Sequence, residues 1–146
     1  MSLTGISTLD NATQDANIWL NEISAGAHWG DKKRSYRLLR ATLHALRDWL
    51  NSNEAADLGA QLPMLIRGIY YEGWNPSATP LPERKLEAFY DRVQRDFKMD
   101  PLGNPQLSVS AVFAVLSKHI TKGEIDQIRN TMRKDLRDLW PSQGDK

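Results

Sequence analysis

A chain of 146 residues, 40% hydrophobic and 25% charged, has the make-up of one globular domain. Its 19 basic and 18 acidic residues leave a net charge of +1, too little for a global field that gathers nucleic acid or an anionic membrane. The absence of cysteine excludes disulfides, thiolate metal ligands and cysteine nucleophiles, and no apolar run approaches the roughly 20 residues of a membrane span. Met1 to Asp15 carries acids and no apolar leader segment, so a cytoplasmic location is expected.

Read in chain order, the apolar spacing predicts six helices and no strand. Helix one runs from about Thr13 to Ala27, with Ala16, Trp19, Leu20, Ile23 and Ala27 on one stripe. The second, from about Asp31 to Leu50, has Tyr36, Leu39, Leu43, Leu46 and Leu50 as its buried face. Helix three starts at Asn51, and Pro63 should kink or break it, because proline lacks the N–H that would bond the Gly59 carbonyl. Gly73 to Pro82, with three prolines, reads as a linker. Three more helices follow, at about Pro82–Phe97, Ser108–Ile120 and Lys122–Trp140. The fifth should be shorter than the second, because a Pro- and Gly-containing loop replaces its first turns. The sixth should be straighter than the third, with Arg133 in place of the proline.

Fifteen apolar positions recur at a constant offset of 70 residues without a gap. They are Ala16/Leu86, Trp19/Phe89, Leu20/Tyr90, Ile23/Val93, Ala27/Phe97, Leu39/Val109, Leu43/Phe113, Leu46/Leu116, Leu50/Ile120, Ala55/Ile125, Leu58/Ile128, Leu62/Met132, Ile66/Leu136, Ile69/Leu139 and Tyr70/Trp140. Helix-start signals recur at the same offset: Thr121-x-x-Glu124 is a capping-box pattern, and Asn51-x-x-Glu54 a looser version. The expected fold is therefore all-α: a six-helix bundle of two tandem three-helix units with pseudo-two-fold symmetry. The single helical domain spans 12–141, with unit one at about 16–71, a linker at 72–82 and unit two at about 83–141. Flexible ends are expected at 1–11 and 142–146.

Two groups of residues stand out as candidate sites. Arg67, Tyr71, Glu72 and Trp74 concentrate aromatics and opposite charges where a helix meets the linker; they suit a ligand pocket or a partner anchor. The structural reading of the same residues is that Trp74 pins the linker to the bundle, and that Arg67, recurring as Arg137, belongs to an ion pair common to both units. The second group is a basic stripe on helix two, Lys33, Arg37, Arg40, His44 and Arg47, whose spacing of four and three keeps it on one face. It suits phosphates or an acidic partner; the alternative is a flank paired with acids of neighbouring helices. The matching positions Gly103, Leu107, Ser110, Ala114 and Ser117 carry no charge. No catalytic set, phosphate loop, cofactor motif or metal-ligand spacing is present among His28, His44 and His119. The leading functional expectation is thus a non-enzymatic interaction or regulatory module, with a protein partner or a homodimer. The alternatives are a ligand-binding or catalytic pocket beside the linker and, third, weak nucleic-acid binding through helix two.

The run from Arg47 to Arg67, then Tyr70-Tyr71-Glu72-Gly73-Trp74-x-Pro76, resembles a bacterial family of uncharacterised proteins, domain-of-unknown-function family 2267. So do Ser110 to Leu116, His119-Ile-x-x-Gly-Glu124 and Leu136-Arg-Asp-Leu-Trp-Pro141, so that the resemblance covers about residues 17–141. It implies an all-helical soluble protein and supplies no catalytic residue. Met132-Arg133 stands where the family's second unit often carries a Leu-Pro resembling Leu62-Pro63.

Overall fold

The computed structural model describes residues 3–142, so Met1, Ser2 and the end of the expected tail at 143–146 lie outside the described residues. It is all-helical, with eight α-helices among the described residues rather than six: α1 Ser7–Ala27, α2 Lys32–Trp49, α3 Ser52–Gln61, α4 Met64–Tyr71, α5 Leu86–Gln94, α6 Pro105–His119, α7 Lys122–Asn130 and α8 Lys134–Arg137. Short 3-10 turns occupy Pro76–Ala78 and Arg95–Phe97. The first helix begins two turns before the expected Thr13, where the Asp10 carboxylate accepts hydrogen bonds from the Thr4 N–H (3.0 Å) and hydroxyl (2.9 Å). As expected, α6 is shorter than α2, at 15 against 18 residues.

The helix count differs because both long C-terminal helices break. The break at Pro63 was expected; the one at Thr131–Arg133 was not. Pro63 sits at φ −61°, ψ 159° and Arg133 at φ −66°, ψ 160°. An arginine adopts the same extended backbone as the proline, so the break belongs to the packing, and Pro63 occupies a place whose φ it already matches. Each break turns a second short helix back onto the bundle and buries its inner face: Ile66 and Tyr70 on α4, Leu136 on α8, with Trp140 just beyond.

The core joins all these elements. Of the fifteen offset pairs, fourteen have both members in the same class, buried or half-buried; only Ile69 and Leu139 differ. Packing between helices runs in reciprocal fashion: α1 lies on α6 and α5 on α2, while α2 meets α6 and α3 meets α7. Stacked rings follow the same plan. Trp19 of α1 stacks on His119 of α6 (5.0 Å), and Phe89 of α5 meets Trp49 of α2 edge-on (6.0 Å). Ion pairs do so with reversed sign, Glu22 with Lys118 and Arg92 with Asp48 (2.7 Å).

The helix caps form, with one difference from the sequence pattern. Asn51 Oδ1 accepts from the Glu54 N–H (2.8 Å) and Thr121 Oγ1 from the Glu124 N–H (3.3 Å). The reciprocal half of the box is not made at Thr121, whose N–H donates to Gln61 Oε1 across the bundle (3.0 Å). Glu124 is instead buried, and burial, followed by the charges of Asp57 and Glu54, holds its carboxyl above the usual range. The folded chain thus binds this proton more tightly than the unfolded chain, and stability falls as pH rises through the window above 4.5. Glu124→Gln is therefore expected to melt higher than the parent at neutral pH, with the gap closing as the pH falls below that value; thermal melts across this range check it.

Tyr36 departs from its expected place. Its spacing put it on the buried face of the second helix, yet it is 43% exposed, at the edge of a groove between α1 and α4.

Candidate functional site

The linker residues are engaged with the chain itself. Arg67 reaches back across the break, its Nε donating to the Gly59 carbonyl (2.9 Å) and its Nη2 to those of Leu62 (2.9 Å) and Ala60 (3.2 Å). These carbonyls lie at the end of α3, where that of Gly59 also accepts from the Leu62 N–H (3.2 Å). The ion pair expected for Arg67 and Arg137 does not form: Arg67 binds carbonyls only, and the Arg137 side chain makes no hydrogen bond or ion pair among the described residues. Tyr71 lies directly over Gly59, where a Cβ would fall 2.6 Å from its Cζ. Its ring is wedged between Tyr70 (5.0 Å) and Trp74 (5.3 Å). Tyr71 and Trp74 are half-buried against the core, and the Trp74 Nε1 is buried without a partner. Glu72 Oε1 accepts from Arg40 Nε at 3.0 Å. Arg67 is thus tied to α3 and Glu72 to α2, and the four side chains are not gathered around one ligand position.

The basic stripe of α2 faces the end of α4, α5 and the loop after it. Arg37 lies 3.7 Å from the Asp100 carboxylate, and Arg40 bonds Glu72 with Asp96 at 4.0 Å. The His44 Nε2–H donates to the Ile69 carbonyl (2.7 Å), and burial lowers its pKa, which keeps the ring neutral. Arg47 is buried: its Nε and Nη2 clasp Asp48 (2.8 and 3.2 Å), and its Nη1 caps α4 through the carbonyls of Tyr70 (3.0 Å) and Glu72 (2.7 Å). Only Lys33 stands exposed with no side-chain partner among the described residues. Arg34, one position off the stripe, was not singled out from the sequence; it pairs with Asp100, bonds the Pro101 carbonyl (3.0 Å) and covers the Trp29 ring (4.5 Å).

One open feature among the described residues is apolar. Ala16 and Leu20 of α1, Tyr36 and Leu39 of α2, and Leu65, Ile66 and Ile69 of α4 line a groove of about 240 Å³. Ala16 and Leu20 also line a shallower hollow of about 600 Å³ that runs along α1 to Leu9 and Leu3, with Thr4, Asp10, Thr13, Gln14 and Asn17 as its polar members. Tyr36, Leu65 and Leu9 are each more than two-fifths exposed, and Leu3 is 87% exposed. An apolar groove that opens on a polar-rimmed hollow with exposed leucines is a mark of an interaction surface. The sequence held a signal for it: the offset partners of Tyr36 and Leu65 are Gln106 and Asp135, and those of Ala16 and Leu20 are the larger Leu86 and Tyr90.

Fold and surface together define the class: an all-helical domain with an open apolar groove, in which no described helix is long and apolar enough to cross a membrane. The chain belongs to the family described as uncharacterized conserved protein (DUF2267), whose model matches residues 16–139. No curated protein matches it. The match includes the whole groove and begins after the arm that carries Leu3, Ile6 and Leu9.

Proposed function

We propose that the chain is a non-enzymatic interaction module that pairs with a second copy of itself across the apolar face of α1, α2 and α4. The observation that carries this reading is continuity: the apolar groove is joined, through Ala16 and Leu20, to a hollow along α1 that reaches the exposed Leu9 and Leu3. An isologous pairing lays the arm of each copy on the groove of the other, burying both at once. The linker and stripe candidates, Lys33 apart, support the same reading, because Arg67 and Arg47 spend their donors on the carbonyls that end α3 and α4, and Arg40 is paired with Glu72.

We further read the architecture as two tandem units, each with a broken third helix, related by a pseudo-two-fold axis. The matched burial of the offset pairs, the equal backbone at Pro63 and Arg133, and the reciprocal pairs Glu22–Lys118 and Arg92–Asp48 support it. In that frame the groove is a departure of the first unit from the second. The second unit has the half-buried Tyr90 where the first has Leu20, and Asp135 and Gln106 as polar rim residues. Burial of Tyr90, and then the charge of Asp135, raise its hydroxyl pKa.

Leu65→Asp tests the pairing, because it copies a residue the chain already tolerates at the matching place. The variant should keep its helical content and melting behaviour at low concentration and sediment as a monomer where the parent sediments as a dimer. A variant that sediments as the parent does would contradict the proposal.

A further inference from the structure

We propose that a second, polar cleft, between α2 and the end of α5, is a binding site for a phosphate-sized oxyanion. Its floor is Ala41 and Ala45 of α2, whose small side chains leave a cavity of about 130 Å³. That space is too small for a nucleoside but admits one tetrahedral anion. Its walls are polar: the neutral His44 with Arg47 and Asp48 on one side, Arg92, Arg95 and Asp96 on the other.

Cations exceed acids here. Asp48 is shared by two guanidiniums, Arg47 at 2.8 Å and Arg92 at 2.7 Å, so that group carries one unbalanced positive charge. Arg40 is shared by Glu72 at 3.0 Å and Asp96 at 4.0 Å, which leaves one unbalanced negative charge there. Arg95 then adds a positive charge with no side-chain partner among the described residues. The Arg92 Nε is buried and donates to nothing. A buried guanidinium N–H without an acceptor is costly, and an oxyanion supplies that acceptor together with the missing negative charge.

The reciprocal contact of the bundle makes the cleft specific to this side. Where α1 meets α6, Ala25 and Gly26 stand at the places of Arg95 and Asp96, and Glu22 at that of Arg92. There the helices close, a Cβ on Gly26 falling 3.1 Å from the Ala111 Cβ. Ala41, the counterpart of Ala111, instead floors the cleft.

Thermal unfolding in rising inorganic phosphate, with sodium chloride holding ionic strength constant, tests the site. The parent midpoint should climb and saturate. Arg95→Gln, at an exposed position without a side-chain partner, should melt as the parent does without phosphate and need roughly tenfold more phosphate for the same climb, as for loss of one charge-assisted hydrogen bond. Lys33→Gln, removing a free cation elsewhere on α2, should respond as the parent does. No climb in the parent, an unchanged response in Arg95→Gln, or an equal loss in Lys33→Gln overturns the proposal. Vesicles containing phosphatidic acid serve as the other phosphate source and should not sediment the chain. Vesicle binding that Arg95→Gln abolishes, without any response to free phosphate, also overturns it.

Discussion

Replacing Arg47 by methionine is expected to cost about 3–5 kcal/mol of folding stability, the range for breaking a buried charge pair from one side. The methionine fills much of the space but returns none of the bonds. Asp48 loses the guanidinium that clasps it at 2.8 and 3.2 Å, and the carbonyls of Tyr70 and Glu72 lose their shared donor. Asp48 retains Arg92, which keeps the loss within that range. Since a domain has about 5–15 kcal/mol in total, the variant should fold but unfold at much lower urea. Arg40→Gln on the same stripe is the contrast. Its side chain is 40% exposed and its pairing with Glu72 lies at the surface, so the expected cost is below about 1 kcal/mol. Urea unfolding of the two variants separates a stripe that works as an internal strut from one that is merely solvated. Equal, small losses would contradict the role given to Arg47.

The second large effect is expected at Gly59. Its α-helical place needs no special backbone freedom; what needs the glycine is the Tyr71 ring, since a Cβ would come within 2.6 Å of Cζ and 2.9 Å of Cε2. The ring has little room to retreat, being held between Tyr70 and Trp74. Gly59→Ala should therefore cost about 1–3 kcal/mol, the usual penalty of overpacking, even though alanine is the better helix former. With Tyr71→Leu already in place the same change should be neutral or stabilising. The double-mutant cycle reads this as a coupling energy, and a value near zero would mean that the contact does not govern the site.

Much of the fold could be read from the sequence because a core needs only apolarity at helical spacing, and the offset of 70 kept that spacing through changes of residue such as Leu43 to Phe113. The break in the last helix was not legible. Arg133 carries no mark of an extended backbone, and the proline at Pro63 drew the attribution to itself. For the site residues, the sequence showed which side chains share a face but not what that face meets. The stripe on α2 was visible as a stripe, whereas its contacts with Glu72, the Tyr70 carbonyl and Asp100 join residues 23 to 63 positions apart. Tyr36 was placed inward by its register; at the first turns of α2, beside a groove left open by Ala16 and Leu20, the same register points to an edge. That groove was legible only by comparing the chain with itself, at Tyr36/Gln106 and Leu65/Asp135.

If a second copy of the chain covers the apolar face of α1, α2 and α4, the mass in solution must depend on concentration. Sedimentation equilibrium of the parent, from low to high micromolar concentration, measures this most directly. The mass should rise to twice the 16.6 kDa of the chain and level there. A mass that stays at 16.6 kDa throughout, or that climbs past the dimer without levelling, would contradict it.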